Sequence, residues 1–337
     1  MTTNLIQSIF PIENQWQTKD PFLFCAYHYD LYPGGNGTYG PATSIAGRMI
    51  GQDFSGKDGW SMYHGKYVPG FPSHPHRGFE TVSVVKKGFM DHSDSLGGIG
   101  RFGGGDTQWL TSGKGIQHSE MFPLLNKDSN PLELFQIWLN LPKRSKFVEP
   151  HYKMFWKEKI PVYTNTDDKG NKTIIDIIAG KVDHISAISP APDSWAANPE
   201  NEVEIWTMKM DANASFEIPA TIYSISRALY FYDGDSISIE DTIINSKNGI
   251  DLNSTQDLKI TNGNSEGYFL LLQGKPINEP KAQYGPFVMN TDQEIQDAMT
   301  DYQRTQFGGW PHSNPGPVHG ERGRFAKYAD GTEEIID

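Results

Sequence analysis

Two short runs carry the residues with metal chemistry in this chain: His74-Pro75-His76 and His118-Ser119-Glu120. In each, the two polar side chains are separated by one residue. On a β-strand, residues i and i+2 point to the same face. Two such strands side by side would turn three imidazoles and one carboxylate toward a common point, a ligand set for a divalent transition metal. A lone histidine in a strand is ordinarily a core or surface residue with its hydrogen bonds met. That bland reading does not cover two pairs 42 positions apart, flanked by the turn glycines Gly78 and Gly115. We read a shared metal site near the mouth of a barrel.

Glu80 competes with Glu120 for the carboxylate place, since the period of two puts it on the face of His74 and His76. It could instead pair with Arg77 or support a ligand's second nitrogen from behind. Spacing alone leaves the two carboxylates even. Asp91-His92-Ser93-Asp94-Ser95 reads as a solvated strand end, with support of the metal site as the alternative. Gly98-Ile99-Gly100-Arg101-Phe102-Gly103 spells G-x-G-x-x-G, but no helical period follows, so the glycines are assigned to tight turns and not to a dinucleotide. No Ser-His-Asp pattern stands out. Cys25, the single cysteine, lies in the apolar run Phe22-Leu23-Phe24-Cys25-Ala26 and reads as core.

These residues need strands to position them. Runs at 21–29, 80–85, 89–93, 109–111, 116–120 and 132–141 have strand character, separated by Gly-rich turns. The polar stretch 153–172 marks a domain boundary. A second series follows at 173–179, 203–210, 228–232, 237–239, 258–260 and 268–273, and regular short strands of this kind predict sandwiches or barrels. Thr291-Asp292-Gln293-Glu294 is a capping-box pattern. Ile295, Ala298, Met299 and Tyr302 follow it on one helical face, and Gly308-Gly309 is the expected stop. The last residues, 311–337, read as an irregular tail.

Composition agrees. The chain has 337 residues, 12% aromatic, with 34 Gly and 22 Pro, which favours β-rich domains with frequent turns. A formal charge of −12 argues against binding a phosphate backbone directly. No apolar run of about 18 residues exists for a membrane span. No secretory signal is read at the start, so a cytoplasmic location is expected. All ten histidines lie outside 185–311, so the second strand series cannot build an imidazole site of its own.

The chain resembles the pirins of the cupin superfamily. The resemblance rests on His74-Pro-His-Arg-Gly-Phe-Glu-Thr81, Met90-Asp-His-Ser-Asp-Ser-Leu-Gly97, Gly105-Asp-Thr-Gln-Trp-Leu-Thr-Ser-Gly113, Gly115-Ile-Gln-His-Ser-Glu120, Phe135-Gln-Ile-Trp-Leu-Asn-Leu141, Val148-Glu-Pro150 and Gly285-Pro-Phe-Val-Met-Asn-Thr291. It is dense from 71 to 150 and thin from about 155 to 280. It implies an all-β fold of two cupin domains: a metal-binding one over 1–155 and a metal-free one over 156–310 that ends in a helix at about 291–306. It implies one metal, Fe(II) first among Mn, Ni, Cu and Zn, held by His74, His76, His118 and Glu120. That choice moves Glu80, with Arg77 and His92, to supporting roles behind the ligands.

The resemblance implies two functions. One is quercetin 2,3-dioxygenase activity on a flavonol-like aromatic substrate, with Glu120 as the candidate proton acceptor. Phe79, Phe89, Trp109 and Phe135 would then offer an aromatic wall, although core packing is the first expectation for each. The other is a metal-dependent regulatory role exercised through protein partners.

Overall fold

Alternation explains the strands. In Ser129–Asn140, Leu132 and Leu134 are buried on one face and Phe135, Ile137 and Leu139 on the other, and the neighbouring Phe79–Lys87 carries Val82, Val84 and Val85 into the interior. A computed structural model describes residues 4–336. The chain forms two compact units, each built of antiparallel sheets.

The first unit comprises residues 27–136, 141–157 and the chain from Glu279 onward. In one of its sheets His151–Phe155, Thr107–Thr111, Phe79–Lys87, Ser129–Asn140 and Phe22–Pro33 run in that order. In the other the order is Glu333–Ile336, Arg324–Lys327, Ile99–Gly103, Phe89–Asp94, Ile116–Met121 and Gly70–His76. Val85, Leu132, Leu134 and Met154 from the first sheet share one buried core with Met90, Phe102 and Ala326 from the second. This is the two-sheet packing that antiparallel barrels use to bury one face of each strand.

The second unit comprises the chain up to Ala26, residues 137–140 and residues 158–278. Its seven-stranded sheet faces a four-stranded one across a core that includes Ile175, Trp206, Leu229, Phe231, Ile260, Phe269 and Leu271. All six strands expected in this series are present, from Lys172–Ala179 to Gly267–Gly274.

Three strand features depart from the sequence reading, two of them through partners distant in the chain. Ile6–Pro11 pairs with Asn248–Leu252, so the first described strand belongs to the second unit and not to a domain spanning 1–155. The residues beyond 311 are not wholly irregular: Arg324–Lys327 pairs with Ile99–Gly103 and, on its other side, with Glu333–Ile336. It thereby covers what would otherwise be an exposed sheet edge. The glycine-rich stretch after Gly97 contains the strand Ile99–Gly103 itself. Its glycines give room as well as turns, because a Cβ on Gly103 would sit 2.0 Å from the Gly88 carbonyl oxygen.

The helix Asp292–Thr305 forms with the expected capping box. Thr291 Oγ1 accepts from the Glu294 amide at 3.2 Å and Glu294 Oε2 accepts from the Thr291 amide at 3.1 Å. Ile295 and Ala298 pack with Phe287 and Met289, and Tyr302 Oη donates to Gln117 Oε1 at 3.1 Å. The helix thus lies with the first unit, whereas the sequence reading gave it to the second domain.

Candidate metal centre

Gly70–His76 and Ile116–Met121 run antiparallel with His74 opposite His118 and Phe71 opposite Glu120. One extra residue sits in the first strand between those two pairs, a bulge of the kind that re-aims side chains. On the far side of Ile116–Met121, Asp94 stands opposite His118 and His92 opposite Glu120. Directly opposed residues share a face, so all of these side chains face one side of the sheet.

There the three imidazoles converge. Their ring centroids form a near-equilateral triangle: His74 to His118 4.5 Å, His76 to His118 4.8 Å and His74 to His76 4.8 Å. One ligand atom from each lies within 4.8 Å of the others. Glu120 stands at the edge of this group, with Oε2 3.8 Å from His118 Nε2. Around an ion with bonds of about 2.1 Å, donor atoms stand about 3 to 4 Å apart, so a carboxylate at this distance fits a fourth position.

The side chains present fit a metal ion. His118 is fully buried and neither ring nitrogen has a hydrogen-bond partner among the described residues. Such an orphan is costly unless something else satisfies it. His74 donates from Nδ1 to the Pro72 carbonyl at 2.9 Å, which leaves Nε2 as the nitrogen with a lone pair. Burial pushes the His74 pKa down to about 4 and those of His76 and His118 well below the usual imidazole range. The three rings are therefore neutral at physiological pH, the form in which imidazole binds metal. Burial pushes the Glu120 carboxyl up instead. Gln136 Nε2 donates to both its oxygens, at 3.1 and 3.3 Å, and the Ser83 hydroxyl lies 3.2 Å from Oε1.

Comparison with known proteins identifies the family. The family described as Pirin matches residues 43–139, and the Pirin C-terminal cupin domain matches residues 205–308. A pirin-like protein of Caulobacter vibrioides is 34% identical over 72% of this chain and 82% of its own length. The chain belongs to the pirin family. Human pirin is 33% identical over 71% of this chain and 78% of its own. Among solved structures, a quercetin 2,3-dioxygenase from Acinetobacter baumannii superposes with a TM-score of 0.69 at 25% identity, covering 90% of this chain and 98% of that one. Both sheets-upon-sheets units of this pirin-family chain are thus cupins.

Around the triangle, the supporting residues expected from sequence are placed differently from one another. Glu80 Oε1 accepts from Trp109 Nε1 at 3.0 Å and Thr111 Oγ1 at 2.7 Å, which ties it to the strand Thr107–Thr111. His92 lies beside the site: its ring centroid is 5.6 Å from that of His118, Nε2 is 3.1 Å from Asp94 Oδ2, and Tyr152 stacks on it at 4.8 Å. Arg77 turns to the C-terminal helix, bonding Asp301 Oδ2 at 2.5 Å and the Lys114 carbonyl at 2.6 Å with its guanidinium over the Phe307 ring. Of the four candidate wall aromatics, Phe79 meets His76 edge-on at 5.0 Å, while Trp109 and Phe135 are fully buried and Phe89 is half-buried. Sequence reading missed Gln136 and Ser83 as the groups that hold Glu120. Gln136 lies within the run 132–141, and a polar residue in the middle of its apolar stretch Leu134–Leu139 was the available signal. Among the described residues no helix is long and apolar enough to cross a membrane.

Proposed function

We propose that this pirin-family chain is a metal-dependent dioxygenase of the quercetinase kind, with His74, His76, His118 and Glu120 holding one divalent ion, Fe(II) foremost. The observation that carries the reading is the triangle of neutral imidazoles, half-buried at His74 and buried at His76 and His118, with neither His118 ring nitrogen hydrogen-bonded to a protein group among the described residues. The likeness to a solved structure titled quercetin 2,3-dioxygenase supports the substrate class, a hydroxylated planar aromatic.

When bound, the ion would supply Lewis acidity toward a substrate hydroxyl and a meeting point for dioxygen. The protein's own part is orientation and proton handling. His74 is fixed by its hydrogen bond to Pro72, and Phe79 packs on the edge of His76. Gln136 holds the Glu120 carboxylate with its oxygens toward His118. Glu120, the acidic member of the set and raised by burial, is the group suited to accept a proton from the substrate hydroxyl. Asp94 and Tyr152 fix His92 beside it.

The test is anaerobic loading with Fe(II), followed by oxygen-uptake measurement with quercetin. Turnover in the loaded wild type that falls at least a hundredfold in His118→Ala is expected. Absence of turnover in fully loaded protein, or equal turnover in the variant, would remove the enzymatic reading.

A further inference from the structure

A second polar chain lies one aromatic ring, Phe71, away from the imidazole triangle, and nothing above uses it. Asp30, His28 and Tyr63 sit together within the first unit. Asp30 is almost wholly buried, and its Oδ1 accepts from the Ser61 amide at 2.8 Å. Its Oδ2 takes the Tyr63 hydroxyl proton at 2.8 Å. Tyr63 has one proton to give. Once it is given to Asp30, the phenol oxygen is left as the acceptor for His28 Nδ1, also at 2.8 Å. That fixes the His28 tautomer: Nδ1 carries the hydrogen and Nε2 carries a lone pair. His28 Nε2 has no hydrogen-bond partner among the described residues, and the ring is half-buried. Burial pushes its pKa down to about 4, so the ring is neutral and Nε2 can only accept.

The surroundings are aromatic. The His28 ring meets Phe71 at 6.0 Å, and Phe71 meets His74 at 6.4 Å. Tyr63 stacks on Phe71 at 5.1 Å, and Phe54, 56% exposed, meets the Tyr63 ring edge-on at 5.4 Å. A flat apolar body is suited to these ring faces and edges. Its far end must bring a donor, because a lone-pair nitrogen gives nothing to a carbonyl or carboxylate.

We infer that His28, oriented by Tyr63 and Asp30, is a specificity-determining residue that accepts a hydrogen bond from a remote hydroxyl of a planar aromatic substrate lying along Phe71 toward His74. This rests on the proposed function for the substrate's near end, which the imidazole triangle would receive. The remote contact is a separate claim about a residue that holds no metal.

The experiment is anaerobic equilibrium binding of two flavonols to the metal-loaded protein. Quercetin carries hydroxyls remote from its 3-hydroxyl, and 3-hydroxyflavone carries none. Wild type should prefer quercetin by at least tenfold. His28→Ala should abolish that preference while leaving 3-hydroxyflavone binding within about twofold. Tyr63→Phe, which keeps the ring but frees the imidazole to change tautomer, should fall between the two. Equal affinity of the wild type for both flavonols, no binding of either, or a loss in His28→Ala that is the same for both would overturn the inference. Preference for quercetin without oxygen uptake would defeat the dioxygenase reading and leave this contact standing. Oxygen uptake without the preference would do the reverse.

Discussion

The two barrels have the same sheet-on-sheet design and opposite interiors. In the second unit the core between the sheets is hydrocarbon: Trp206 and Met208 on one strand, Leu229 and Phe231 on the next, Phe269 and Leu271 on a third, all buried, with the ionisable pair Glu204 and Arg227 near one end. In the first unit the strands around the site turn His76, His118, Glu120, His92 and Ser83 inward, every one buried. A hydrocarbon interior is stabilised by dispersion and exclusion of water, with little demand on geometry beyond volume. A polar interior must satisfy each group in turn. Here part of the account closes within the protein. Asp91 accepts from Arg101 at 2.6 and 2.7 Å, Asp94 from His92, and Glu120 from Gln136. It does not close at His118, where both ring nitrogens lack a protein hydrogen-bond partner among the described residues, nor at His92 Nδ1, Ser93 and Ser119 beside it. The orphaned His118 ring is what the proposed ion would answer.

The largest expected effect tests the hydrocarbon side. Phe269 is fully buried and stacks on Phe231 at 4.8 Å. Phe269→Ala should destabilise the second barrel by about 3 to 5 kcal/mol, the range for large aromatic deletions in tight cores. Chemical denaturation would show the loss, and metal affinity measured under native conditions should stay unchanged. A large change in metal affinity would show that the two interiors are not independent in function.

The complementary change is His118→Ala. It removes the orphaned imidazole, so in metal-free protein the cost should be small for so buried a position. Metal affinity should drop by a hundredfold or more, about 2.7 kcal/mol or greater. The rise in melting temperature on adding metal, measured by calorimetry, should disappear with it. A full metal-dependent rise in the variant would mean that the ion is held elsewhere.

Much of this was legible in the sequence because the informative signals were local. The pairs His74/His76 and His118/Glu120 announce a shared face by spacing alone, and Thr291 with Glu294 announces a helix start. The strand series at 173–273 follows from alternation and turns. What escaped depends on contacts far apart in the chain. Nothing near Ile6 indicates that it will pair across to Leu252, and nothing near Arg324 indicates the edge of Ile99–Gly103. The bulge between Phe71 and His74 is likewise invisible, since it is defined only by the register of the partner strand. Arg77 adjoins His76 in sequence yet points to Asp301, because a long side chain at a strand end is buried by whatever later packs there, here the C-terminal helix.

Proton linkage gives the subtlest contrast between the barrels. In metal-free protein His74 has a pKa of about 4 against an ordinary 6.5 when unfolded, owing to burial. Between those values the unfolded chain binds the extra proton, so stability is lost as pH falls from 6.5 toward 4. His76, His118 and His28 shift the same way. Asp30, raised to about 6 by burial, and Glu120, also raised, act in the opposite sense but are fewer. The second barrel has a different titrating group: Glu204, raised to about 8 by burial and only partly held down by Arg227. There the folded form holds the extra proton, so stability is lost as pH rises from 4.5 toward 8. Hydrogen exchange, converted to opening free energies, should show the strands Gly70–His76 and Ile116–Met121 losing protection from pH 8 to pH 5, by on the order of 1 to 3 kcal/mol. The strand Glu204–Met210 should gain protection over the same range. Movement of both barrels in one direction would mean that net charge, and not the buried groups of each interior, governs their response to pH.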